Sequence, residues 1–170
     1  MASGPTSADE QDVEIRRGTS ADAEEVARLL RLLADSLDGL EDHRSTAETI
    51  RRDGFGHSPL FSTLVARPVE ETDLVGLCVY LADYSTTRGR AGVYILDLVV
   101  TPEWQGRGIG LDLLRAVAKE GQDRWDAAYM ILSVAKTNVA ARRFYLRHGL
   151  TVDMKSDIMT LDGMQSLSGR

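Results

Sequence analysis

Hydrophobic and polar positions along this chain change their period several times, and each change marks an element. Residues 13–16 (Val-Glu-Ile-Arg) alternate with period two, which predicts a first strand. From Thr19 the period becomes helical. Thr19 and Asp22 have the form of a capping box, and Val26, Leu29, Leu30 and Leu33 make an apolar stripe on a helix running to about Ala34. The run 35–39 (Asp-Ser-Leu-Asp-Gly) breaks that pattern. Ser45 with Glu48 reads as a second capping box, for a short helix ending near Asp53 and Gly54. Apolar runs at 61–67 and 74–81 predict two strands joined by an acidic turn through Glu70 and Asp73. Residues 84–92 read as a loop leading to a central strand over 93–100. Beyond it, Ile109, Leu113, Leu114 and Val117 share one helix face, 128–134 is strand-like, a short helix follows Asn138, and 154–161 can form a last strand. Strands alternating with helices predict an α/β (α+β) chain with a single domain over 13–170. Residues 1–12, small, polar and acidic, are expected to be a mobile tail.

The densest chemical signal is the turn Gln105-Gly106-Arg107-Gly108-Ile109-Gly110, between the central strand and the next helix. The first turn of a helix carries free N–H groups and a partial positive charge, and glycines let that backbone approach a phosphate closely. The turn therefore predicts a site for a phosphorylated cofactor. It is not a P-loop, because Gly110 is followed by Leu111 and Asp112 rather than Lys and Ser or Thr. It is not a dinucleotide fingerprint either: counted from Gly106 the sixth position is Leu111, and from Gly108 it is Leu113. What remains is Q-x-x-G-x-G, with Gly108 and Gly110 as its glycines.

About thirty residues on lies a second motif, Asn138-Val139-Ala140-Ala141-Arg142-Arg143-Phe144-Tyr145, with Gly149 beyond it. Physically this is a short helix capped by Asn138 and ended by Gly149, with Ala141, Phe144 and Tyr145 on its apolar side.

The two motifs in this order resemble those of the GNAT family of N-acetyltransferases. The resemblance extends over about residues 13–162 and is closest to the spermidine/spermine (diamine) N-acetyltransferase branch: Asp53-Gly54-Phe55-Gly56, Pro59, Phe61, Leu64-Val65-Ala66, Tyr94-Ile95-Leu96-Asp97 and Ser133-Val134-Ala135 all match it. It implies a mixed, strongly twisted central sheet flanked by helices. Two neighbouring parallel strands would splay near Val100 and Ser133 and hold acetyl-CoA between them. It also implies a homodimer. As cofactor-binding residues it implies the backbone of Leu98, Val99 and Val100, the turn Gln105, Gly106, Arg107, Gly108, Ile109, Gly110 and Leu111, and Asn138, Ala141 and Tyr145. Asn138 would bond the pantetheine arm. The Tyr145 hydroxyl would lie near the thioester sulfur and protonate the leaving thiolate. Arg107, Arg142 and Arg143 are candidates for phosphate contacts.

Three departures from that branch bear on the acceptor. Leu96 stands where the polyamine enzymes have a Glu directly before the position of Asp97. Ser36-Leu37 and Thr86-Thr87-Arg88 stand roughly where they have Tyr-Glu and Asp-Pro-Trp. A polycation needs several fixed carboxylates along its length. Their loss points to a shorter amine, or one carrying its own carboxylate. Asp35, Asp38, Glu41, Asp42 and Asp83 are possible substitutes, each also readable as a solvated loop charge.

Asp97 is the candidate general base. A carboxylate in an otherwise apolar strand requires a reason, and an amine acceptor must lose a proton before it attacks. The competing reading is a structural carboxylate.

Composition narrows the picture further. The 170-residue chain is 43% hydrophobic and 27% charged, as a small enzyme would be, and its net charge of −6 argues against nucleic acid as a partner. No apolar run reaches the length of a membrane span and no leader is visible, so a cytoplasmic enzyme is expected. Cys78, the single cysteine, reads as a buried core thiol. His43, His57 and His148 have neither ligand spacing nor a cysteine cluster, so no metal is expected, and surface or packing roles are the default for all three. Trp104 and Trp125 read as packing residues. The expected function is transfer of an acetyl group to the primary amine of a small molecule, diamine-like or amino-acid-like. A lysine- or peptide-directed transferase and a non-catalytic acetyl-CoA sensor are the alternatives.

Overall fold

A computed structural model of the chain describes residues 12–154, 158 and 159. They fall into two compact units, one up to Ala135 and one from Lys136 onward. The first contains β1 (Val13–Arg17), α1 (Ala23–Ser36), α2 (Ala47–Phe55), β2 (Ser62–Pro68), β3 (Gly76–Ser85), β4 (Arg90–Val100), α3 (Ile109–Trp125) and β5 (Met130–Leu132). The second contains α4 (Val139–Arg147).

The sheet runs β1-β2-β3-β4-β5, antiparallel throughout except for the parallel pair β4/β5. Cross-strand partners share a face, so the register sorts the side chains. Ile15, Ala66 and Gly76 lie on one face, where Ile109 and Leu113 of α3 pack against Gly76. Val65, Leu77 and Val99 lie on the other and form a core with Ala23, Val26, Leu29 and Leu30 of α1 and Ile50 of α2. The stripe read from the sequence is the buried side of α1, although Leu33 lies at its margin.

One irregularity decides how β4 is used. Tyr80 pairs with Ile95 but Val79 pairs with Asp97, so Leu96 is an extra residue in β4. Without this bulge, Asp97 would follow Ile95 onto the α3 face. With it, Asp97 shares the face of Val79 and of the α1/α2 core. Leu96, the inserted residue, is 43% exposed.

Local chemistry explains most boundaries. Thr19 and Asp22 form the expected capping box, which starts a single 3-10 turn at Ser20–Asp22 before α1. Arg16 clamps Asp22 through two bonds of 2.8 and 2.7 Å, which lowers the Asp22 pKa to about 2. The box expected at Ser45 and Glu48 is one residue further on: Thr46 and Thr49 cap α2 reciprocally. The expected loop over 84–92 is instead the tip of a hairpin, because Asp83, Tyr84 and Ser85 pair with Gly92, Ala91 and Arg90. Its polar residues are the exposed ends of two long strands, which alternation in an apolar window cannot reveal. β5 is three residues long, against the seven expected over 128–134. The strand expected over 154–161 falls largely outside the described residues, and Met154, Ile158 and Met159, which are described, are not in a strand. Residues 1–11 of the expected tail also lie outside them.

Candidate active site

β4 and β5 pair only through Val93, Tyr94 and Ile95 with Met130, Ile131 and Leu132. Residues 96–100 of β4 therefore continue with no β5 partner, beginning at the bulge. Thr101 donates its N–H to Val75 at 2.9 Å, toward β3. Backbone alternation then turns Val99 toward β3 as well, and turns the peptide groups of Leu98 and Val100 to the vacated edge. The Val100 carbonyl accepts a bond there from Gln105 Nε2 at 2.9 Å, which ties the first residue of the Gly-rich turn to the strand it leaves.

The turn itself is built from left-handed backbone. Gly106 has φ +78° and Gly108 φ +89°, and Gly108 is the N-cap of α3. Only glycine takes these values without strain. Leu111 and Asp112 direct their N–H groups back to the Gly108 carbonyl at 2.9 and 3.1 Å. The N–H groups of Gly106, Arg107, Gly108, Ile109 and Gly110 find no backbone acceptor among the described residues. A run of free N–H groups at a helix N-terminus makes an anion cradle. Ile109 is buried and anchors the helix, while residues 105–108 are exposed. The Arg107 guanidinium lies over the Trp104 ring at 4.5 Å, which holds a cation beside the cradle.

Asp97 is half-buried, and its carboxylate accepts no hydrogen bond among the described residues. Burial raises its pKa above the usual carboxylate range, while nearby His43 pulls in the opposite direction. His43 follows the short turn Leu40–Asp42 in the α1–α2 connection, and its Nε2 is buried without a partner. Sequence reasoning assigned His43 no role. No motif surrounds it, and its electrostatic influence on Asp97 joins residues far apart in sequence. Cys78, on β3, is fully buried and its thiol pKa is strongly raised, as an inert core cysteine requires.

In the second unit, Asn138 caps α4 by accepting the Ala141 N–H at 3.0 Å through Oδ1. The helix ends in a Schellman motif at Gly149, φ +90°: the N–H of Leu150 goes to the Tyr145 carbonyl at 3.1 Å, and that of Gly149 to the Leu146 carbonyl at 3.2 Å. Phe144 stands edge-on between Tyr145 and His148, at 5.3 and 4.8 Å. Tyr145 and Ala141 are half-buried, one helical turn apart.

Residues 26–150 match the model of the acetyltransferase (GNAT) family. The chain belongs to that family. Its relatives include the bovine (Bos taurus) thialysine N-epsilon-acetyltransferase, 33% identical over 139 residues, which are 78% of this chain and 81% of that protein. The human (Homo sapiens) spermidine/spermine N(1)-acetyltransferase-like protein 1 is 32% identical over 62% of this chain and 16% of its own length. Among solved structures, an integron cassette protein from the mobile metagenome of V. cholerae superposes with a TM-score of 0.76 at 18% identity, covering 93% of this chain and 98% of that one. An aminoglycoside acetyltransferase from an uncultured soil metagenomic sample, in complex with sisomicin, does so at 0.71 and 19% identity, covering 88% and 95%. These two show the GNAT fold. The chain is thus an N-acetyltransferase acting on amines, in a family whose cosubstrate is acetyl-CoA.

The fold brings Asp97, residues 98–100 and the turn 105–111 together along one strand and one helix start. Asn138, Ala141 and Tyr145 share α4. Of the acidic residues weighed as amine contacts, Asp83 accepts the Tyr129 hydroxyl at 2.7 Å, and Asp35, Asp38, Glu41 and Asp42 are exposed. Arg88 lies over the Tyr129 ring at 4.3 Å and Arg90 pairs with Asp126 at 3.2 Å. Among the described residues no group of three or more His, Cys, Asp or Glu could hold a metal ion, and no helix is long and apolar enough to cross a membrane.

Proposed function

We propose that this chain transfers the acetyl group of acetyl-CoA to the primary amine of a small molecule by direct attack. The observation that supports the reading most strongly is the continuity of β4 with the cradle. An open strand edge at Leu98 and Val100 leads into free N–H groups at 106–110, and Asp97 sits at the start of that edge.

In this reading the pantetheine arm pairs with the open edge as an added strand would, and the pyrophosphate sits on the turn. A backbone N–H at Leu98 or Val100 donates to the thioester carbonyl, which is worth ~3 kcal/mol once the oxyanion develops. Asp97 takes the proton of the acceptor ammonium. For a lysine-like amine of pKa ~10.4, reaching the neutral form at pH 7 costs roughly 4–5 kcal/mol, so a group that accepts this proton in place speeds attack. The amine nitrogen bonds to the acetyl carbon, the C–S bond breaks, and Tyr145 supplies the proton that the thiolate takes. Relatives named for thialysine and for spermidine/spermine support an amine of this size range, and the missing acidic positions favour the shorter, amino-acid-like end of it. The protein acts as a homodimer in this reading.

The test is release of CoA thiol from acetyl-CoA against a panel of putrescine, spermidine, lysine, thialysine, an aminoglycoside and a lysine peptide. Saturable release with thialysine or another short amine is expected. Release with the peptide alone would replace this reading with the protein-directed one, and release at the amine-free rate across the panel would favour a sensor. Tyr145→Phe is expected to keep acetyl-CoA binding and lower turnover about tenfold or more. Unchanged turnover would remove Tyr145 as the acid.

A further inference from the structure

The β3–β4 hairpin carries a second polar cluster on the same face of the sheet as Asp97. Val79, Leu81 and Asp83 alternate along β3, and their partners across the sheet are Asp97, Tyr94 and Gly92. Cross-strand partners share a face, so Asp83 and Asp97 point to one side, with Asp83 about 13 Å further along the strand than Val79. The Tyr129 ring fills the space that a Cβ at Gly92 would need, so it lies on that side too. Its hydroxyl donates to Asp83 Oδ2 at 2.7 Å, and the Arg88 guanidinium lies over its ring at 4.3 Å. The hairpin tip is fixed by the Arg88 N–H, which donates to Ser85 Oγ at 3.2 Å, and by Gly89 at φ +60°.

One tyrosine thus holds an acid at its hydroxyl and a cation on its face, and neither charge is spent. Among the described residues Arg88 makes no ion pair and Asp83 Oδ1 accepts no hydrogen bond, whereas Arg90 on the same hairpin is paired with Asp126 at 3.2 Å. A guanidinium stacked on a ring keeps its edge N–H donors free for a carboxylate. We propose that Arg88 and Asp83 are specificity residues for the acceptor: Arg88 holds the α-carboxylate and Asp83 the α-ammonium of a free diamino acid whose side-chain amine reaches Asp97. This rests on the transfer reaction proposed above and names its acceptor as a diamino acid with an unblocked zwitterionic head. The side chains of Arg88, Asp83 and Asp97 reach inward from their strands, and a side chain of lysine length spans the rest of the gap. Leu81 and Tyr94, both half-buried, lie between the two ends and supply apolar surface for its methylenes. A polyamine would bring an ammonium to Arg88, and a lysine within a peptide has neither head charge, so the same pair disfavours both.

The experiment measures binding by titration calorimetry to enzyme saturated with CoA, where no acetyl group is present to transfer. The ligands are thialysine, its carboxamide, its Nα-acetyl derivative and its decarboxylated diamine. The proteins are wild type, Arg88→Ala, Arg88→Lys, Asp83→Asn and Arg90→Ala. Wild type is expected to bind thialysine about tenfold or more tighter than each analogue. Arg88→Ala should erase the preference over the carboxamide and the diamine but keep that over the Nα-acetyl derivative. Asp83→Asn, which retains an acceptor for the Tyr129 hydroxyl, should do the reverse. Arg88→Lys should recover only part of the loss, because an ammonium lacks the planar fork, and Arg90→Ala should match wild type. In turnover, Arg88→Ala should raise KM for thialysine with kcat near wild type. Equal wild-type affinity for thialysine and its carboxamide, no thialysine binding, or an Arg88→Ala loss shared equally by all the ligands would overturn the inference. Acetyl transfer to putrescine or another short amine in any of those cases would leave the transferase reading intact, and transfer to no amine would overturn that reading as well.

Discussion

The two halves of β4 differ more than any two regions of similar sequence in this chain. From Val93 to Ile95 the strand has a neighbour on each side, and Val93 and Ile95 are buried beneath α3. From Leu96 to Val100 it has, among the described residues, a neighbouring strand on one side only, it carries a half-buried acid, and it runs into a turn rich in free N–H groups. Both halves read as apolar strand. A single extra residue separates them, and it does two things: it flips the facing of every later side chain, and it coincides with the end of pairing to β5. The first half is spent on stability. The second gives up backbone hydrogen bonds and burial energy to expose an edge, which is a cost a fold bears only where a ligand repays it.

Removing the divide should have the largest effect. Deletion of Leu96 makes Asp97 follow Ile95 directly, so Asp97 keeps the face of Val79 while the bulge that separates the two halves is lost. Acetyl transfer is expected to fall about a hundredfold or more, even in protein that still folds by circular dichroism. Retention of activity would mean that the bulge itself is unimportant to the site. The structural half should respond in the opposite sense. Ile95→Ala removes a side chain only 2% exposed. It is expected to cost about 2–4 kcal/mol in denaturant unfolding while kcat per folded molecule stays near wild type.

A smaller effect is expected where the open half ends. Gly108→Ala places a Cβ on backbone at φ +89°, with strain of about 1–2 kcal/mol, and should weaken acetyl-CoA binding several-fold more than it slows the bound complex. Equal affinity for both proteins in titration calorimetry would remove the cradle from the cofactor site. The smallest effect is one of sign. Asp97 has a raised pKa in the folded state, so ionising it destabilises the fold progressively as pH rises from the unfolded value of about 3.9 through the folded one. Asp97→Asn avoids that cost. It is expected to raise Tm slightly at pH 7, with the gain vanishing below about pH 4. A lowered Tm at pH 7 would identify Asp97 as a structural carboxylate after all.

Most elements were legible because their signals are local. The α1 stripe, the Thr19/Asp22 box, the Asn138 cap and the Gly149 terminus each depend on residues within a turn or two of one another. The misplaced α2 cap shows the limit of such reading: Ser45/Glu48 is the better capping-box match in sequence, and the structure uses Thr46/Thr49 instead. The 84–92 hairpin was missed because Ser85 and Arg90 become strand through each other, not through their own alternation. Of the candidate site, the turn 105–111 was readable because its glycines serve their own backbone. His43 was not, because the residue it influences, Asp97, lies far away in sequence.

By itself, then, the sequence determined the elements, the Gly-rich cradle and the two family motifs, since helix caps, left-handed turns and amphipathic periods are properties of neighbouring residues. Only the tertiary structure decided where β5 lets go of β4, that Leu96 is the inserted residue and which face Asp97 takes. Those outcomes depend on which strands pair and in what register. A one-residue difference in register leaves the composition of a strand unchanged and reverses everything it points at.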